Sequence, residues 1–171
     1  MKPTFWQRLD GLARGLSPFA LAVLLVLFGA VPLRLPHVSE IGPNFALLAV
    51  YYWAVHRPTV LPAPAAFFLG LLSDLLGAAP LGVGTAVLLG VHALTVSQRR
   101  FLVGQSFLWV WTGFMIIAAG AFAAIWAVSS LLAGMPIDPR AAVFATVLNV
   151  AVYPAMGFVF AHAQRSLLPQ A

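Results

Sequence analysis

Cysteine is absent from the 171 residues, which excludes disulfides, thiolate metal sites and thiol catalysis together. Acidic residues are scarce as well, with four Asp and Glu against nine Lys and Arg. Charged residues make up only 8% of the chain, whereas a water-soluble domain carries about 25%. An ordinary soluble domain is thereby excluded. Apolar residues, 62% of the total, fill the place of charge. They fall in windows of about 20 residues separated by short polar breaks, the length a helix needs to cross a bilayer. A β-barrel would alternate apolar and polar residues, but VLLVLF, LGLLSDLLG and GFMIIAAGAFAAIWAV are apolar on every face. The fold class expected is an all-α polytopic membrane protein. One membrane domain covers residues 1–171, with six transmembrane helices at about 18–35, 41–56, 60–77, 80–97, 105–132 and 141–162.

The net charge of +5 is scattered singly or in pairs, with no basic stripe for nucleic acid. Its distribution reports topology instead. Six spans put both termini on one side. If that side is the cytoplasm, it holds Lys2, Arg8, Arg14, Arg57, Arg99, Arg100 and Arg165, leaving Arg34 and Arg140 outside. This is the positive-inside asymmetry. No soluble domain, long linker or internal repeat is evident.

Along the chain, residues 1–17 read as a cytoplasmic amphipathic segment, with Phe5, Leu9, Leu12 and Leu16 at helical spacing for a short helix on the membrane surface. Pro18 suits the first turn of the next run, which reads as a retained span, not a signal peptide, because polytopic sequence follows. Tyr51, Tyr52 and Trp53 stand where an aromatic belt is expected. A tight GAAP turn leads to Pro80, able to open the fourth span. In the fifth, Gly120 and Ala124, and likewise Ala119, Ala123 and Ala127, form small-residue faces that could admit another helix closely. Pro154 should kink the sixth, where Asn149 lies near mid-depth and suits an interhelical hydrogen bond.

Catalytic chemistry is hard to find. His37 belongs to the outer side, while His56, His92 and His162 fall near inner ends and lack metal-ligand spacing such as HxxxH. GVG at 82–84 lacks the third glycine of a phosphate-binding turn. Asp74 is the exception. A carboxylate inside an apolar run needs a partner, a polar cavity or a task. It lies near the end of its span, where the helix dipole disfavours negative charge, so local preference does not explain it. Arg34, Arg140 and the Asn44 amide share its level and could satisfy it. A structural pair or cap, a partner or ligand contact, and ion coupling all stay open. For coupling, a relay of titratable groups is missing; below Asp74 only Asn149 and Tyr153 follow.

Three features together resemble the MreD rod shape-determining family. Pro43-Asn44, then an apolar run ending Tyr52-Trp53, then His56-Arg57-Pro58, is similar to its second span and following loop. Gly70, Asp74 and Leu81-Gly82 are similar to its third span and outer turn. Size, span number and short loops agree along nearly the whole chain. One departure is the glycine after the aspartate, here Gly77 at three residues, with Ala78 at the fourth.

The resemblance implies a non-enzymatic inner-membrane subunit of the elongation machinery that builds the lateral cell wall, with no cofactor and no catalytic residue. It also implies a fold similar to the membrane substrate-binding subunits of energy-coupling-factor transporters. The implied partners are MreC and, directly or through it, the RodA glycan polymerase and its class B penicillin-binding transpeptidase, with the MreB filament reached indirectly. Membrane lipid is a further expected partner. Asp74, Asn44, Pro43, Gly70, Gly77, Pro80, Gly82, Arg34, Arg140 and Asn149 are the candidate structural or partner-contact residues. The alternative is a small-molecule-binding subunit of a vitamin-type uptake transporter, which requires several convergent polar groups in a pocket.

Overall fold

A computed structural model describes residues 5–30, 42–77 and 80–167, with side chains described for 17–30, 42–77 and 80–165. Arg34, His37, Glu40 and Ala78 lie outside the described residues. Six helices follow in order: α1 (Phe5–Gly29), α2 (Phe45–His56), α3 (Ala63–Leu76), α4 (Val83–Leu102), α5 (Phe107–Ala133) and α6 (Arg140–Leu167). No strand occurs among the described residues.

The bundle is built around α2. Every residue from Phe45 to Val55 is buried, as expected of a helix with no polar face. Around it pack α1, α3, α4 and α6, and α5 reaches it through Tyr51. The other main pairings are α3 on α4, α5 on α6 and α4 on α5, with α1 against α3 and α6. This arrangement corrects the aromatic-belt expectation. Tyr51, Tyr52 and Trp53 are core residues, 0%, 5% and 0% exposed, because α2 occupies the centre and not the perimeter.

Helix boundaries depart from the expected spans in instructive ways. The first helix is continuous from Phe5 to Gly29, so the segment read as a separate surface helix is its first half, and Pro18 lies in its interior. Residues 42–44 are non-helical and α2 is only 12 residues long. At 1.5 Å per residue α2 and α3 extend about 18 and 21 Å, short of the roughly 30 Å of a hydrocarbon core. Pro80 precedes α4 instead of opening it; its carbonyl accepts from Val83 N in a turn. At the other end α4 continues through the expected SQRR break to Leu102.

Among the described residues two helices, Phe107–Ala133 and Arg140–Arg165, are long and apolar enough to cross a membrane. Their outward faces carry large apolar side chains, including Leu108, Trp109, Ile116, Leu131, Val147 and Phe158. The packed face of α5 is Val110, Phe114, Ala118, Ala121 and Phe122. Gly120 faces open space and Ala124 is exposed, so that small-residue pair does not serve packing within the bundle.

Candidate functional site

Asp74 sits in the last turn of α3, 5% exposed, and its partner is the start of the next helix. Its Oδ2 accepts from Gly82 N at 2.9 Å, Thr85 N at 2.9 Å and Thr85 Oγ1 at 2.8 Å. The carboxylate thus takes the role a capping side chain would play at the amino end of α4. No side chain of the N-cap residue, Gly82, competes for it. The first N–H groups of a helix have no partner within it, and the dipole there favours negative charge. The unfavourable end of α3 is therefore offset by the favourable end of α4.

Glycines make the approach possible. A Cβ on Gly70, one turn before Asp74 on the same face, would fall 2.7 Å from the Thr85 Cα, so α3 and α4 touch backbone to backbone there. A Cβ on Gly84 would overlap the Asp74 carboxylate. Gly82 adopts φ +92°, a left-handed conformation that side-chain-bearing residues rarely take. Gly77 ends α3, its N–H on Ser73 O at 2.9 Å. GVG at 82–84 is thus an anion cradle, and the anion is the protein's own.

The ends of α2 are tied from neighbouring helices too. Asn44 caps α2 through its side chain, Oδ1 accepting from Leu47 N at 3.0 Å, directly after Pro43. The Asn44 N–H donates to Asn149 Oδ1 at 2.9 Å. Asn149, 0% exposed, gives its own Nδ2 to Ala145 O at 2.8 Å, so one side chain links α6 to the head of α2. At the far end Arg99 of α4 donates from Nε to Val55 O at 2.9 Å and from Nη2 to His56 O at 3.3 Å. A cation on the last carbonyls of a helix is favourable for the reason an anion suits its start.

Between these ties lies an aromatic stack. The Tyr51 and Phe114 ring centroids are 5.2 Å apart, and those of Phe114 and Tyr153 4.4 Å. Tyr51 OH donates to Val110 O at 2.8 Å, and Gly113 leaves it room, since a Cβ there would meet the hydroxyl at 2.8 Å. Pro154 has no N–H to give the Val150 carbonyl. Trp111 Nε1 donates to that carbonyl instead, at 3.0 Å.

Of the residues expected near Asp74, the structure brings neither Arg140 nor the Asn44 side chain to it. Arg140 lies 3.9 Å from Asp138, both well exposed, a pairing worth little. Its N–H donates to Asp138 Oδ1 at 2.9 Å. His92 bonds Leu61 O and His56 bonds Tyr52 O, and no group of three metal-binding side chains occurs among the described residues. Thr85, Gly84, Arg99 and Trp111 were not singled out from the sequence as parts of these ties. Only Thr85 and Gly84 carried a signal, a glycine turn followed by a hydroxyl residue at the start of a helix.

A model of the family described as rod shape-determining protein MreD matches residues 11–164, nearly the whole chain. The chain belongs to the MreD family. No curated protein and no solved structure matches it. MreD proteins are membrane proteins of the bacterial cell envelope that determine rod shape. In a lipid setting, helices gain little from hiding apolar surface and associate through close packing and hydrogen bonds. The Asp74, Asn149 and Arg99 ties supply such bonds, and the Gly70–Thr85 contact supplies such packing, in this MreD chain.

Proposed function

We propose that this MreD-family chain is a non-enzymatic subunit of the lateral wall elongation complex, crossing the inner membrane six times with both termini in the cytoplasm. It binds MreC, and directly or through MreC it helps organise the RodA polymerase and its class B transpeptidase, with MreB an indirect partner. The observation that carries this reading is the family match over residues 11–164. Charge placement supports the orientation. Among described side chains Arg57, Arg99, Arg100 and Arg165 gather at one end of the bundle, and Arg140 lies at the other. The first end is assigned to the cytoplasm.

In this reading Asp74, Gly70, Gly82 and Gly84 hold the outer ends of α3 and α4 in one shape. They present a surface and perform no chemistry. Co-purification tests the partner assignment: tagged protein solubilised in mild detergent should retain MreC in near-equal amount. Folded protein recovered from the membrane with no MreC bound would contradict it. Cysteines placed singly in the otherwise cysteine-free chain test topology. Positions beside Arg57 and Arg100 should resist a membrane-impermeant thiol reagent in intact cells, and one beside Asp138 should react.

A further inference from the structure

Beside Pro154 of α6 lies a groove of about 430 Å³ between α2, α5 and α6. That is within the roughly 300–1,000 Å³ of ligand sites. Its walls are ring faces of Tyr52, Phe107, Tyr153 and Phe158, and Pro154 and Gly157 supply its floor on α6. A Cβ on Gly157 would meet the Phe107 ring at 3.8 Å, ordinary contact distance, so a larger side chain there would press into the slot.

One end of the groove is polar and basic. His56 and Gln105 line it. The His56 Nδ1–H donates to the Tyr52 carbonyl at 2.9 Å, and its ring stacks on that of Tyr52 with centroids 4.2 Å apart. Gly157, Ala161 and Arg165 follow at four-residue spacing and so share one face of α6. Arg165 therefore stands just beyond the mouth, next in the chain to Gln164, whose Oε1 accepts from the Tyr52 hydroxyl at 3.4 Å. The amino end of α5 opens at the same place, where Ser106 makes no side-chain cap. Among described side chains the carboxylates are Asp74 and Asp138, both at the opposite end of the bundle. Nothing described at this mouth repels an anion.

We infer that the groove holds an anionic phospholipid of the inner leaflet, its acyl chain along the aromatic walls and its phosphate at Arg165. The inference rests on the membrane orientation proposed above. Basic pockets between helices at the cytoplasmic face select anionic headgroups, and an aromatic slot beside one fixes the lipid in place. A zwitterionic lipid fits the slot equally but lacks the net charge that the mouth selects.

Full-length protein is reconstituted in nanodiscs of phosphatidylcholine with phosphatidylglycerol titrated in, and retained lipids are identified by native mass spectrometry. Wild type should favour phosphatidylglycerol by about fivefold, the scale of one basic residue near an anionic surface. Arg165→Gln and Gly157→Leu, which fills the slot, should each reduce the preference to near unity. Arg100→Gln should leave it intact, because Arg100 lies over the Phe101 ring at 4.7 Å on α4, away from the groove. Should Gly157→Leu fail to fold, Arg165→Gln decides alone. No preference in wild type, a preference that survives Arg165→Gln, or equal loss in Arg100→Gln would overturn the site. Carbonate extraction separates this failure from that of the membrane reading. Released protein overturns both, and integrated protein without preference overturns the lipid site alone.

Discussion

Asp74 shows how a carboxylate in an apolar run can be held by backbone and hydroxyl donors of a neighbouring helix. Three donors from one helix end converge on a single oxygen, and hydrogen bonds to an ionised group are worth about 1.5–3 kcal/mol each. Removing the carboxylate leaves those donors unpaired. Asp74→Ala should therefore cost about 2–4 kcal/mol, read as a lower unfolding midpoint in detergent. Asp74→Asn keeps an oxygen in place and should lose less. Gly84→Ala should mimic Asp74→Ala by displacing the carboxylate, and the double variant should fall well short of the summed losses. Fully additive losses would show that the two residues act separately. Thr95 supplies the opposite case. Its hydroxyl is buried without a partner, so Thr95→Val should leave the midpoint unchanged or raise it by about 1 kcal/mol or less. A clear drop would reveal a partner such as a bound water.

At the level of elements, the sequence disclosed what is periodic and local. It indicated six helices and an interhelical asparagine at 149. It did not disclose what depends on placement in three dimensions. Tyr51 to Trp53 read as a belt because end-of-span aromatics usually are one, and only the central position of α2 makes them core. Asp74 looked for Arg140 because both lie near the same end of the bundle, yet α4 begins closer, brought in by Gly70. Arg99 read as a topology signal, whereas α4 carries it far enough to cap α2. Pro154→Ala tests another such coupling. The restored N–H would compete with Trp111 for the Val150 carbonyl, so Trp111 fluorescence should shift in the detergent-solubilised protein. An unchanged spectrum in a Trp111-only background would contradict the assignment of that bond to the missing proline N–H.

For the whole molecule, a short buried α2 tied at both ends sits among longer helices that face outward with apolar side chains. This MreD-family chain determines rod shape, and its Asp74 clamp maintains the fold. The most direct test of both is depletion in the native host, with rescue by wild type or Asp74→Ala while membrane-bound protein is quantified. Rounding on depletion and full rescue by wild type are expected, with Asp74→Ala rescuing only as far as its protein level allows. Cells that stay rods after depletion would contradict the assignment, and an Asp74→Ala protein present at normal level yet unable to restore shape would contradict the clamp.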